Sequence, residues 1–367
     1  MNKNILELCL SPDLGGLELY MVRASHYLND TLKVISIINQ NGKLEQYYKD
    51  TNFKYLKIKR NSKLLSFFTA KELAKLIDEH EIDVIHLHWT NDIPVAVLAK
   101  IFSKSKPKLV QTRNMTMTRF KDDFYHKFLY KNMDMMLPVT YQVKDQIEKF
   151  IPQDIRPKVE ALYMGASSPI LITKDEKSDL RHSYNLGESF TVGIVGRIEE
   201  GKGQYLVIDA IEKMTKENID AKALIVGHSM EESYLDLLKD NISTKGIEDK
   251  IIFTGFTTKV QQLMQICDVI VLATNKETFG LVLIEAMKCS ITIVGSDSGG
   301  PLEIIDDNKS GLLFNTMDSN DLYEKLKYLY DNPSINNKFA KAGYDKAHEM
   351  FDDTKQFEKL KNILEDL

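Results

Sequence analysis

Two glutamates, Glu277 and Glu285, lie eight positions apart around a Phe-Gly pair in the stretch NKETFGLVLIEAM. Glu277 follows an apolar run, DVIVLAT, and precedes an amphipathic one, LVLIEAMK, so it stands at a strand exit just before a helix. A carboxylate there accepts hydrogen bonds from hydroxyls, and the free amides of Phe279, Gly280 and Leu281 favour phosphate or sugar oxygens. Glu285 sits a turn inside the helix and reaches the same ligand only if its face points inward. The plainer reading makes Glu277 a favourable charge near a helix N-terminus and Glu285 a surface residue. Ile284 and Ala286 weaken that reading, because they leave Glu285 little purely solvated surface.

Upstream, GRIEEGKG (196–203) brings Arg197 and Lys202 to the start of another helix, with Gly196 permitting close approach of the backbone. That combination suits a diphosphate, although a glycine turn with solvated charges explains it equally well. It is neither the dinucleotide fingerprint nor a P-loop. Downstream, SDSGGPLEII (296–305) is another strand-exit loop. Pro301 there fits a helix start, and Gly299-Gly300 reads as close approach of a ligand or of another domain. In DVIHLHW, His86 and His88 share one strand face. No cysteine or acid follows at metal-ligand spacing, so no metal is expected. His86 reads as a core histidine, and His88, nearer the strand end, as a substrate contact.

These residues need a scaffold of strand exits. Apolar β-branched runs alternate with helical patterns almost throughout, which implies parallel sheets covered on both faces. NILELCL leads through Gly15-Gly16 into one helix, and FTVGIVG leads through Gly196 into another near Gln204. The chain thus reads as two Rossmann-like α/β domains, with ligands expected outside the carboxyl ends of the strands and in the cleft between domains. The boundary is expected within YMGASSPILITKDEKSD, and KQFEKLKNILED reads as a final helix. A net charge of −5 and a pI near 6.0 give no global basic field for nucleic acid. Cys9, Cys267 and Cys289 sit in apolar segments and read as reduced, buried thiols. No run reaches the length of a spanning helix and the N-terminus is no signal peptide, so a cytoplasmic protein is expected. Two basic-aromatic stretches, 54–68 and 119–133, read as either core helices or segments resting on an anionic leaflet. In the second, Phe120, Phe124 and Phe128 are expected on one helical face, with the core slightly favoured.

In order and spacing, GRIEEGKG, ALIVG, IIFTGF, CDVIVLATNKETFGLVLIEAM, GSDSGGPLEII and SGLLF resemble the retaining GT-B glycosyltransferases of family four. SPDLGGLE, DVIHLHW and FLYKNMDMMLPVTYQVKD agree more loosely. The resemblance implies two facing Rossmann-like domains: an acceptor domain over 1–165, a donor domain over 166–345, and a helical segment, 346–367, returning to the first. It implies a nucleotide-diphosphate sugar as donor substrate, with no cofactor and no metal, the leaving diphosphate being met by Arg197 and Lys202. Glu277 would contact the donor sugar, Glu285 the ribose and Phe256 the base. Backbone of Phe279, Gly280, Leu281 and Val282 would lie near sugar and phosphate. Gly15 and Gly16 would close on the phosphates and His88 would lie near the sugar.

The chain departs from the family at Arg113-Asn114, where a histidine is usual, and at YMGASSP, where Gly165 is kept and an aspartate is lacking. The first departure bears on the acceptor. The expected activity is transfer of a hexose, from GDP-mannose or a UDP-hexose, to a glycan or lipid-linked glycan. The basic-aromatic stretches extend this to lipopolysaccharide or other envelope polysaccharide synthesis at the inner face of the cytoplasmic membrane. The competing readings are a non-catalytic GT-B partner subunit, disfavoured by the presence of Arg197, Lys202 and Glu277, and a nucleotide-sugar epimerase.

Overall fold

The computed structural model describes residues 3–49, 51–60 and 66–367. The chain divides into two compact units: residues 1–164 with 353–367, and residues 165–352. The first is built on seven strands: β1 (Asn4–Cys9), β2 (Lys33–Asn39), β3 (Tyr55–Ile58), β4 (Val84–Leu87), β5 (Lys108–Arg113), β6 (Met135–Pro138) and β7 (Lys158–Val159). They form one parallel sheet in the order β3-β2-β1-β4-β5-β6-β7. The central strands β1, β4, β5 and β6 are short and almost wholly buried, as a parallel sheet with helices on its faces requires, whereas the edge strands β3 and β7 are partly exposed.

The second unit carries β8 (Phe190–Val195), β9 (Ala221–Val226), β10 (Ile251–Gly255), β11 (Val269–Leu272), β12 (Thr292–Ser296) and β13 (Leu312–Phe314). These are also parallel, in the order β10-β9-β8-β11-β12-β13. Each sheet reverses its winding once, between β1 and β4 in the first and between β8 and β11 in the second. Loops diverge at such a switch point, leaving backbone amides and side chains free for a ligand. His88 follows β4; Arg197 and Lys202 follow β8; Glu277 follows β11. The β-branched runs read from sequence become strands, whereas β3, β7 and β13 escape that reading because each is short and sits at or next to a sheet edge.

The chain enters and leaves the second unit side by side. Ala166 pairs with Asp352, and the Ala166 amide donates to Phe351 O at 3.0 Å. Lys288, fully buried on the helix Leu281–Lys288, donates to Ala166 O at 2.5 Å and to Asp352 Oδ2 at 2.9 Å. A buried ammonium is tolerable only with such partners, so the helix carrying Glu285 is pinned to both segments. The helix Pro333–Met350 runs through position 345, the expected domain end, because its amphipathic pattern continues to Met350. The final helix, Asp353–Glu365, belongs to the first unit. There Phe357 packs on Tyr20 at 5.5 Å and Glu358 accepts from Tyr27 Oη at 2.8 Å.

Candidate functional site

In the second unit the loops after β8 and β11 meet. Lys202 ends a short 3-10 turn, and Gly203, at φ +73°, opens the helix Gln204–Lys216. A side chain at Gly203 would strike Ala273 O, so the lysine loop is seated directly on the exit of β11. Lys202 Nζ consequently lies 3.5 Å from Glu277 Oε2, both side chains being partly exposed. Arg197 does not join them; its exposed guanidinium lies 3.3 Å from Glu199 Oε1.

Glu277 is held through its backbone. The Gly300 amide donates to Glu277 O at 3.0 Å, and a Cβ at Gly299 or Gly300 would sit 2.0 or 1.9 Å from the carbonyl oxygens of Glu277 and Phe279. The expected reason for this glycine pair, approach of a ligand or another domain, is thereby corrected: the unit's own 277–279 loop occupies the space. Gly280, at φ +100°, then turns the chain into the helix Leu281–Lys288. The Phe279 ring is buried beside Phe351, 6.1 Å away, so Phe279 offers a ligand only backbone. Leu281 and Val282 lie in the helix's first turn, both partly buried.

Glu285, partly buried, lines a depression of about 300 Å³ with Ile170 and residues 258–262. Beyond β10, Phe256 is 75% exposed, its ring edge-on to His228 at 5.8 Å. An aromatic ring left in water at a strand exit suits stacking of a planar group. Lys202, Glu277 and Phe256 thus lie on loops at the carboxyl ends of the strands of one sheet, with Glu285 on the helix that follows the Glu277 loop.

The first unit holds a buried acid-imidazole cluster. Glu7 on β1 is paired in register with His86 on β4. Glu7 Oε1 is 3.0 Å from His86 Nδ1 and Oε2 is 2.5 Å from His88 Nε2, all three residues fully buried. His86 Nε2 meets Thr112 Oγ1 at 2.7 Å, so His86 is a satisfied core histidine. Burial acts to raise the Glu7 carboxyl, but His86 and His88 outweigh it and hold the group down at about 2. An ionised carboxylate only accepts, so both facing ring nitrogens donate. Burial, then repulsion from His86, lowers His88 to about 4 against the pull of Glu7. His88 is therefore neutral at pH 7 with its proton on Nε2, and Nδ1, which has no partner, is left as an acceptor. The cluster has the residue types of a metal site. Its ligand atoms are already engaged with one another, and only His88 Nδ1 is left over. Gly15 and Gly16 begin the helix Gly16–Asn29, and neither position would be crowded by a Cβ, so internal packing does not explain the pair.

Asp92, fully buried beyond β4, accepts from the Leu10 amide at 2.8 Å through Oδ2 while Oδ1 has no partner. Burial raises its carboxyl to about 7, against that hydrogen bond and Arg60. The folded state thus keeps a proton that the unfolded chain releases above pH 4, and stability falls as pH rises from 4 to 7. Asp92→Asn removes this loss while retaining the acceptor. The variant is expected to match the wild type near pH 4 and to exceed it by at most roughly 4 kcal/mol at pH 8. Urea melts at the two pH values measure this; an equal difference at both would refute it.

The helix near Phe120 is shorter than expected. It spans Phe124–Lys131, capped by Asp123, so Phe120 lies outside it. Nor do its phenylalanines face the core: Phe124 is 88% exposed and Phe128 39%, while Tyr130 on the same helix is buried; Phe120, before the helix, is 58% exposed. The other basic-aromatic stretch forms β3 and the start of the helix Ser66–Glu79, with 61–65 outside the described residues. Among the described residues, no helix is long and apolar enough to cross a membrane.

Residues 176–346 match the family described as glycosyl transferases group 1, and residues 7–140 match glycosyl transferase 4-like. The chain carries the paired domains of a group 1 glycosyltransferase. It is 24% identical over 307 residues to N-acetyl-alpha-D-glucosaminyl L-malate synthase of Bacillus anthracis, covering 81% of this chain and 78% of that one. It is 25% identical over 344 residues to a Campylobacter jejuni N-acetylgalactosaminyltransferase acting on a diphospho-undecaprenol-linked glycan, covering 89% and 88%. Anabaena HepE, solved with UDP, superposes with a TM-score of 0.87 at 19% identity over the whole of both chains. That likeness establishes the GT-B fold.

Several features of this glycosyltransferase lay beyond the sequence reading. Glu7 was visible as an acid inside an apolar strand, but its partners are set by register between β1 and β4. His228 meets Phe256 only through the adjacency of β9 and β10. Asp92 and Lys288 look like ordinary surface charges in sequence, and only tertiary burial distinguishes them.

Proposed function

We propose that this glycosyltransferase moves a hexose from a nucleotide-diphosphate sugar to a glycan or lipid-linked glycan, with retention of configuration and without a metal. The observation carrying the proposal is the approach of Lys202 to Glu277, 3.5 Å apart on neighbouring strand-exit loops, in the unit that also carries the exposed Phe256 at a strand exit and the Glu285-lined depression. Lys202, with Arg197, neutralises the departing diphosphate. Glu277 accepts from the sugar hydroxyls, Glu285 from the ribose, and Phe256 carries the base. The amides of Phe279, Gly280, Leu281 and Val282 face sugar and phosphate. His88 Nδ1 accepts from a sugar hydroxyl, and Gly15-Gly16 leaves room at the phosphates. The diphosphate oxygen leaving the sugar takes the acceptor hydroxyl's proton on the same face, so no second carboxylate is needed.

HepE was solved with UDP-glucose, and the Campylobacter relative is named for a polyprenyl-diphosphate-linked acceptor. Both support this class of donor and acceptor. The exposed Phe120, Phe124 and Tyr125, interleaved with Arg119, Lys121 and Lys127, support seating on an anionic membrane during envelope polysaccharide synthesis.

The test is thermal denaturation with UDP, GDP, ADP and their sugars, without added metal and again with EDTA. One nucleoside diphosphate is expected to raise Tm progressively as its concentration passes Kd. Silence across the whole set would overturn the donor assignment. In parallel, the protein is expected to sediment with vesicles containing phosphatidylglycerol and not with neutral ones.

A further inference from the structure

Arg113 ends β5, beside the strand end that presents His88, and is only 5% exposed. Its Nη2 donates to Thr116 O at 3.1 Å, while Nε and Nη1 have no partner. Burial pushes its guanidinium down, and the group acting against this is the Tyr130 phenol, not a carboxylate. A guanidinium removed from water with two nitrogens unpaired is unfavourable as it stands, and folded proteins retain such groups mainly where something binds them. The surroundings add positive charge. Lys121, its Nζ 3.5 Å from His126 Nε2, is pushed down by burial and then by Arg119 and Arg113. Asp123, the nearby acid, is engaged with His126.

We infer that Arg113, with Lys121 and Arg119 beside it, receives an anionic group of the acceptor, a phosphate or a carboxylate. This rests on the proposed transfer reaction and names the acceptor's chemistry. Arg113 is thus a specificity-determining residue: its unpaired N–H groups reject a neutral acceptor, which leaves them unsatisfied, and favour one bringing negative charge. A phosphate draws on all three cations. A carboxylate draws chiefly on the Arg113 guanidinium.

The experiment is thermal denaturation of the full chain with its donor site filled by a saturating nucleoside diphosphate. Inorganic pyrophosphate and succinate are the two added probes. At least one is expected to raise Tm by about 3 °C or more in the wild type. Arg113→Met is expected to lose that response while its own Tm, without probe, stays equal or rises. Lys121→Ala is expected to weaken the pyrophosphate response more than the succinate response.

A pyrophosphate response identifies phosphate as the group, and a succinate response identifies carboxylate. A response surviving in Arg113→Met overturns the inference. So does wild-type silence to both probes, and so does an Arg113→Met variant destabilised without probe, which would make the arginine structural. If no nucleoside diphosphate binds but the probes still act through Arg113, the donor assignment fails and the anion site stands.

Discussion

Lys202→Ala is expected to lower kcat/KM by about 10²–10³-fold while leaving the fold intact. Lys202 reaches Glu277 across 3.5 Å with both side chains partly exposed. Such a pair contributes at most about 1 kcal/mol to stability, so Tm should move by only a few degrees. The effect on rate is larger because charge develops on the departing diphosphate, and a fixed cation stabilises that charge more than it stabilises the ground state. Glu277→Ala is expected to lose activity to a similar extent by a different route. The nucleoside diphosphate should still raise the Tm of Glu277→Ala, because its partner there is the lysine. The same ligand should have a much weaker effect on Lys202→Ala. Release of nucleoside diphosphate from the donor sugar measures turnover, and thermal denaturation measures binding. Intact turnover in Lys202→Ala removes the lysine from the mechanism. An unchanged nucleotide response in Lys202→Ala, together with a lost one in Glu277→Ala, exchanges the two roles.

How much of this was readable beforehand differs between the two units. In the second, the informative residues lie within single strand-loop-helix segments, and local spacing places Glu277 at a strand exit and Glu285 one turn into the following helix. What spacing could not supply is the packing between loops. Gly299-Gly300 looked like a ligand-facing pair because a missing Cβ signals close approach without saying of what, and here the neighbour is the backbone of Glu277–Phe279. In the first unit, function depends on contacts between strands distant in sequence. His88 was identified by its position near a strand end, but its hydrogen-bond partner, 81 residues away, was not. The aromatic residues near Phe124 misled for another reason. A helix with phenylalanines at regular spacing ordinarily turns them inward, and nothing local shows that this one leaves Phe124 in water.

Glu7→Leu should destabilise the first unit by roughly 3–5 kcal/mol, the cost of removing one partner from a buried charged pair. Both Glu7 oxygens accept from imidazoles, and none of the three side chains touches water. Leucine fills most of the volume but leaves two buried ring donors unpaired. Glu7→Gln separates this structural cost from positioning. Glutamine can accept from one ring but must offer its NH2 to the other, so one imidazole has to exchange its proton between nitrogens. If His88 changes, Nδ1 becomes a donor and no longer accepts from a sugar hydroxyl; if His86 changes, the Thr112 contact must rearrange. Glu7→Gln should therefore fold better than Glu7→Leu yet remain impaired in transfer, more in kcat than in KM. The stabilities are best compared near pH 7. A carboxyl held at about 2 when folded, against an ordinary value of 4.5, contributes fully above 4.5 and progressively less as pH falls toward 2. Urea denaturation placing Glu7→Leu within 1 kcal/mol of the wild type would show that the cluster is not needed for the fold. Full activity in Glu7→Gln would show that the His88 proton position is not needed for transfer.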